Sequence, residues 1–331
     1  MKGFGRTVGA VGLGVCMVSS SILLCIGCQA SSVTPPNSKS NPANSLTKRV
    51  RHEGIQRTYH IYLPEGFNRQ KSLPLVLALH GGGGTGRQFD QKLSQDQFKT
   101  LANQRGVILV FPDGINRQWS DGRTPHLKRN KSYDDVGFLS KVIDKMIEEY
   151  GVDARRVYVT GISNGGFMSV RLALDLSDKI AAIAPVTAQL PLALQHQTPK
   201  QPISAMFING TEDPIVPYQG GHVRLFRLGR SRGEILSTTD TIEHFRLRNH
   251  CQATPKRTSL PDTDPNDGTR VEMEQYTGCA DQTEVTLVKV IGGGHSWPGG
   301  AQYLSPRLIG RVSKDINASA MIVDFFLKHS R

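Results

Sequence analysis

The stretch Tyr158-Val159-Thr160-Gly161-Ile162-Ser163-Asn164-Gly165-Gly166-Phe167 decides how the rest of the chain is read. An apolar strand pattern runs into Gly-x-Ser-x-Gly, and a helical pattern over Gly165–Leu176 follows at once. A serine on so sharp a strand-to-helix turn has strained backbone, and side chains flanking it would clash. Gly161 and Gly165 remove those side chains. The turn lifts the Ser163 hydroxyl clear of the sheet, and the helix N-terminus beside it favours developing negative charge. Ser163 is therefore read as a nucleophile rather than a plain turn serine.

Outward from that turn, strand and helix patterns alternate. Arg57–Leu63 alternates polar and apolar residues, as an edge-side strand does. Leu73–Leu79, Gly106–Phe111, Val157–Thr160, Ala181–Pro185, Ala205–Ile208 and Val285–Ile291 are apolar runs of strands buried on both faces. Helical patterns cover Phe89–Gln104, Asp134–Tyr150, Thr238–Asn249 and Ile316–His329. In the second of these, Phe138, Leu139, Val142, Ile143 and Met146 share a face. This alternation predicts an α/β class: a mostly parallel, doubly wound sheet with helices on both faces. The 331 residues suffice for one large domain of that kind, here residues 50–331. No internal repeat interrupts it, and the chain ends directly after the last helix.

Three further loops fall at the carboxyl ends of predicted strands. Leu79-His80-Gly81-Gly82-Gly83-Gly84-Thr85-Gly86 follows a buried strand and precedes a helix. Its glycines let backbone N–H groups approach a tetrahedral oxyanion, so Gly81 and Gly82 are candidate donors, with the Asn164 amide as the other. A phosphate-binding loop is the competing reading, but the Lys-Ser/Thr ending of a P-loop is missing. Phe207-Ile208-Asn209-Gly210-Thr211-Glu212-Asp213-Pro214 places an acid downstream of the serine; Asp213 is favoured over Glu212 to orient a histidine. Ile291-Gly292-Gly293-Gly294-His295-Ser296-Trp297-Pro298 supplies that histidine, His295, as general base, with His80 as rival. The order Ser163, Asp213, His295 carries intervals of 50 and 82 residues. Trp119 and Trp297 lie in loops at the same edge and either line an acyl or aryl pocket or simply pack.

The N-terminus reads differently. Lys2 and Arg6 precede an uncharged apolar or small-residue stretch over 7–27, the pattern of a secretory signal. Leu23-Leu24-Cys25-Ile26-Gly27-Cys28 resembles a lipoprotein box with Cys28 as the lipidated residue, simple cleavage and an uncleaved anchor being the alternatives. Residues 1–28 are thus expected to be a signal, and the Ser-, Pro- and Asn-rich residues 29–49 a flexible linker. The net charge of +12 becomes +10 once Lys2 and Arg6 are gone. That balance suits anionic surfaces or substrates, but no nucleic-acid motif accompanies it. Two basic stretches, Arg123–Lys131 and Arg224–Arg232, are either an electropositive approach for acidic substrates or ordinary solvated surface. Cys251 and Cys279 are the cysteines outside the signal; in an exported protein they read as one disulfide, with two buried thiols as the alternative. No Cys/His cluster has metal-ligand spacing.

Together, Leu79–Gly84, Gly161–Gly166, Gly210–Asp213 with Pro217-Tyr218-Gln219-Gly220-Gly221, Cys251 with Cys279, and His295–Gly299 resemble the polyhydroxybutyrate depolymerase-like esterases. That family also contains feruloyl and acetylxylan esterases. The resemblance spans about residues 55–330. It implies an α/β-hydrolase fold, a Ser163–Asp213–His295 triad, the Cys251–Cys279 disulfide and no cofactor. The expected activity is that of a secreted or envelope-anchored serine esterase acting on 3-hydroxybutyrate oligomers or polyester. Feruloyl or acetylxylan ester cleavage is the alternative, a peptidase on the same fold ranks below it, and a non-catalytic polymer-binding lipoprotein is the reading outside enzymes. The expected partner is an ester substrate, with membrane contact only through an N-terminal lipid.

Overall fold

The computed structural model describes Met1 and residues 44–123, 133–225 and 229–331. The chain divides into two units, Met1–Ser38 and Lys39–Arg331, and everything below concerns the second. The signal, Cys28 and most of the expected linker lie outside the described residues. The linker boundary is corrected: strand β1 starts at Ser45, inside the span read as tether. Its sequence, Ser-Leu-Thr-Lys-Arg-Val-Arg-His, is exposed except at Val50 and His52, so it offers almost no apolar signal.

Twelve strands follow in chain order: β1 (Ser45–His52), β2 (Ile55–Tyr62), β3 (Leu75–Leu79), β4 (Ile108–Pro112), β5 (Val157–Ile162), β6 (Ala182–Val186), β7 (Ser204–Gly210), β8 (Gly221–His222), β9 (Glu234–Ile235), β10 (Lys256–Ser259), β11 (Arg270–Tyr276) and β12 (Val285–Ile291). The helices are α1 (Gly86–Gln88), α2 (Gln97–Arg105), α3 (Asp135–Tyr150), α4 (Asn164–Asp175), α5 (Thr238–Arg248), α6 (Pro306–Ile309) and α7 (Ala318–Phe326). Ten strands form one sheet in the order β1-β2-β4-β3-β5-β6-β7-β12-β11-β10, and β8 pairs with β9 separately. The six central strands, β4 to β12, run parallel. The flanking pairs β1–β2 and β11–β10 are antiparallel to their neighbours, so among the described residues the outermost strands are β1 and β10.

Strand alternation sorts the core into two layers. Leu75, Leu77 and Leu79 face one side with Phe138, Leu139, Val142, Ile143 and Met146 of α3. Val76 and Ala78 face the other with Phe98 of α2 and Ile322, Val323, Phe325 and Phe326 of α7. A period of 2 in the strands and 3.6 in the helices makes this division possible. The expected helix over Phe89–Gln104 is instead broken. A π-helical segment, Phe89–Ser94, ends at Gln95 and Asp96, both left-handed (φ 56° and 59°), before α2 begins. Buried Asp90 causes the break, because its carboxylate accepts from the Ser94 hydroxyl and from the Phe98 amide (3.2 Å).

The site is positioned by one topological feature. From β3 the chain moves to β4 on one side, then returns to β5 on the other. The loops leaving β3 and β5 therefore part at their carboxyl ends, which opens a crevice where open α/β sheets bind ligands. Elsewhere Cys251 and Cys279 form the expected disulfide (S–S 2.04 Å), joining the end of α5 to the turn after β11. No described helix is long and apolar enough to cross a membrane.

Candidate active site

Ser163 sits between β5 and α4 with φ 53° and ψ −120°, a strained conformation for a residue with a side chain. Its amide donates to Val186 O (3.0 Å) and its carbonyl accepts from Phe167 N (2.8 Å), so both flanks hold the strain in place. The glycines are sterically required. A Cβ on Gly165 would stand 2.1 Å from Leu79 O, and one on Gly161 would stand 2.6 Å from the Gly165 backbone.

Across the crevice, Gly81 lies against the serine: a Cβ there would meet Ser163 Cβ at 3.7 Å. Among the described residues the Gly81 and Gly82 amides have no hydrogen-bond acceptor, while Gly83 N–H is taken by Arg117 O (2.8 Å) and Gly84 N–H by Gly81 O (3.0 Å). Together with Asn164, the first residue of α4, these are the donors expected for an oxyanion. His80 is not a base. Its Nδ1 donates to Gly81 O (2.8 Å) and its Nε2 accepts from Gly114 N (3.0 Å), which fixes the neutral tautomer. Burial pushes its pKa below the ordinary histidine value. The rival for general base thus braces the loop instead.

Asp213 and His295 come together as expected. Asp213 follows β7 and His295 follows β12, its neighbour in the sheet. His295 Nδ1 donates to Asp213 Oδ2 at 2.7 Å, with both side chains buried. Asp213 Oδ1 accepts from the Ile215 and Val216 amides, each at 2.8 Å. The carboxylate is thereby aimed, and His295 Nε2 is left to take a proton. Glu212, the competitor, is exposed. The His295 backbone is held by Ile309 O, which accepts from its amide (2.5 Å), and by the Tyr303 hydroxyl, which donates to its carbonyl (2.8 Å). Desolvation of its hydroxyl first, and the Asp213 charge second, push the Tyr303 phenol well above its usual range, although the residue as a whole stays partly exposed. No hydrogen bond within 3.5 Å joins Ser163 Oγ to His295 in this geometry; such links tighten when substrate binds.

The tryptophan expectation is corrected at Trp297. Trp297 is fully buried against Phe89 and Phe98, its indole N–H donating to Ser319 Oγ (3.0 Å), so it is core and not a pocket wall. Trp119 is 5% exposed and packs on His80, ring centroids 4.9 Å apart. Of the first basic stretch, residues 124–131 lie outside the described residues. Arg123 itself is bonded to Asp121 (Nη2 to Oδ2, 2.6 Å) and lies 4.1 Å over the Phe167 ring, so it is no free cation. In the second stretch Arg227 lies outside the described residues, and Arg224 donates to Gly229 O (3.4 Å). Among the described residues no group of three or more His, Cys, Asp and Glu side chains is arranged to hold a metal ion.

Known proteins place this geometry. Residues 53–202 match the family model described as "Putative esterase", a span that includes Ser163. "Putative esterase NocK" of Nocardia uniformis subsp. tsuyamanensis is 29% identical over 86% of this chain and 83% of its own length. This chain is a carboxylic ester hydrolase of the α/β-hydrolase fold. Feruloyl esterase B of Piromyces equi is 28% identical to this esterase over 71% of the chain, which spans 42% of that protein's length. The acetyl xylan esterase from Aspergillus awamori shares the fold, with a TM-score of 0.55 over 85% of this chain and 98% of that one, at 14% identity.

Asp121 and Tyr303 join the site's frame although neither is a sequence candidate, and Trp119 joins it by packing on His80. Asp121 and Tyr303 sit in polar loop text with no periodicity, and Trp119 carried only its size as a signal.

Proposed function

We propose that this esterase cleaves esters of the feruloyl type, through an acyl-enzyme on Ser163. The feruloyl esterase relative supports that substrate class. Acetylated xylan is a neighbouring substrate, and 3-hydroxybutyrate oligomers are the competing one, supported by the motif resemblance. The observation that carries the chemistry is the buried Asp213–His295 couple set at the end of the same sheet as the strained serine. His295 Nε2 takes the Ser163 proton as Oγ attacks the ester carbonyl. The new alkoxide meets the Gly81, Gly82 and Asn164 amides, each worth about 3 kcal/mol in the transition state. The protonated histidine then passes its proton to the leaving alcohol, and water frees the acid by the same steps reversed.

The proposal includes export, with residues 1–28 removed or Cys28 acylated. An intact-mass measurement of the mature protein that returns the uncleaved chain ends that part. For the substrate, kcat/KM is compared on methyl ferulate, acetylated xylan and a 3-hydroxybutyrate trimer. Methyl ferulate is expected to lead, and a higher value for the trimer overturns the assignment. Ser163→Ala is expected to abolish both turnover and labelling by a fluorophosphonate, whereas persistent labelling removes Ser163 as nucleophile.

A further inference from the structure

An oxyanion hole works only if its donors sit about 2.7–3.1 Å from the place the alkoxide will occupy. Here the two halves belong to different segments: Gly81 and Gly82 leave β3, and Asn164 leaves β5. The ladder holds these strands in register only as far as Leu79 opposite Gly161. Beyond that pair, where the crevice opens, something other than the sheet must set the spacing.

The segment 114–123, which follows β4, does so. The Trp119 amide donates to Asn164 Oδ1 (2.8 Å), and Asn164 Nδ2 donates back to Trp119 O (3.0 Å). The Trp119 indole N–H donates to His80 O (2.9 Å), the carbonyl immediately before Gly81. Among the described residues it is Trp119 that hydrogen-bonds to both halves. Its neighbours reinforce the grip. Asn164 Nδ2 also donates to Asp121 Oδ2 (2.6 Å), which Arg123 holds, and Gln118 packs where a Gly82 Cβ would lie, 3.2 Å away. Asn116 and Arg117 carry left-handed backbone (φ 50° and 61°), a strained pair that persists because these bonds fix the segment on both sides.

We infer that Trp119 is a positioning residue that sets the separation of the two oxyanion donors, by bonding Asn164 through its backbone and His80 through its indole. The inference rests on the serine esterase reading. Misplacing a donor by a fraction of an ångström weakens the transition state and leaves ground-state binding nearly untouched.

The test uses the full-length enzyme, with active sites counted by fluorophosphonate labelling. Trp119→Phe keeps a ring and both backbone bonds but loses the indole donor; Asn164→Ala keeps the backbone amide but loses the side-chain clasp. Turnover of 4-nitrophenyl acetate and affinity for phenylboronic acid, which forms a tetrahedral adduct on Ser163, are measured for each. Each variant is expected to lose about 10- to 100-fold in kcat with KM within about twofold, and boronate affinity is expected to fall in proportion. The double variant is expected to lose little more than the worse single one. Unchanged kcat, a rise in KM alone, or a rate loss with boronate affinity intact overturns the inference. If Trp119→Phe yields no labelled enzyme, Asn164→Ala decides by the same numbers. Wild-type protein that neither labels nor turns over sinks the esterase reading and this inference with it; an unexpected pattern confined to the variants sinks the inference alone.

Discussion

Two glycine-rich loops follow buried parallel strands, Leu79–Gly86 after β3 and Ile291–Gly300 after β12, and they use their glycines for opposite purposes. In the first, the amides of Gly81 and Gly82 are left without acceptors while the side chain, His80, is tied down on both nitrogens. In the second, the backbone is what is tied down. Gly292 N–H goes to Thr211 Oγ1 (2.9 Å), Gly293 N–H to Val290 O (3.1 Å), Gly294 N–H to Arg311 O (2.9 Å) and Gly299 N–H to Ser313 O (2.8 Å). There the side chain, His295, is the part proposed to work, as general base. Glycine in the first loop leaves amide donors unpaired among the described residues; in the second it lets two backbones touch. The same composition thus serves chemistry in one place and packing in the other, and hydrogen-bond accounting separates them.

The comparison breaks most visibly at the acid. If the second loop works through its side chain, Asp213→Asn leaves the loop folded and lowers kcat/KM by about 10⁴-fold, because the imidazole loses its tautomer and its counter-charge. A loss below tenfold, with melting temperature unchanged, would show that His295 does not depend on Asp213. The next effect is steric. A Cβ on Gly294 would stand 2.2 Å from Ile309 O and 2.3 Å from Gly310 Cα, both backbone atoms. Gly294→Ala is expected to cost about 3 kcal/mol of stability by denaturant titration. Gly83→Ala in the first loop meets nothing within 4 Å and pays only for its φ of +79°, about 1 kcal/mol. Equal losses at the two positions would erase the distinction between loops.

The smallest effect concerns pH. His80 titrates near 6.5 when unfolded and lower when folded, because of its burial. Above both values it is neutral in each state, and its stabilisation is complete. As pH falls below about 6.5 the unfolded chain takes up a proton that the folded loop refuses. Stability therefore declines, by at most about 1.4 kcal/mol per pH unit for this group. His244, lowered to about 4 by burial and then by the Arg248 charge, adds a decline of the same sign. Urea midpoints between pH 7.5 and 5 measure the slope. His80→Asn, which keeps a donor toward Gly81 O, is expected to flatten it; an unaltered slope would mean the loop tolerates a charged imidazole.

The parallel strands were legible because burial on both faces leaves unbroken apolar text; Val285–Ile291 is read to the residue. Of the antiparallel flanks, only β2 was, through its polar–apolar alternation. β1, β10 and β11 are exposed or half-exposed along most of their length, so Lys-Arg-Thr-Ser and Arg-Val-Glu-Met-Glu-Gln-Tyr carry little that separates them from loop. At the proposed site, Ser163, Asp213 and His295 could be singled out because each stands at a strand end in a sterically demanding motif. What Trp119, Asp121 and the Asn164 side chain do was not, since their partners lie far off in sequence and no periodic pattern links them. Trp297 was misplaced because a large ring beside the candidate histidine gives no hint of which way it points; it turns inward onto Phe89.

The two outermost strands have a consequence for how molecules of this esterase meet one another. An unpaired strand invites a strand from another copy to add itself by main-chain bonds. β1 carries Lys48, Arg49 and Arg51, all exposed, and β10 begins with exposed Lys256. Whichever borders approach, like charges face each other first, so the sheet resists growing sideways into fibres, and it resists best where little salt is present to screen that repulsion.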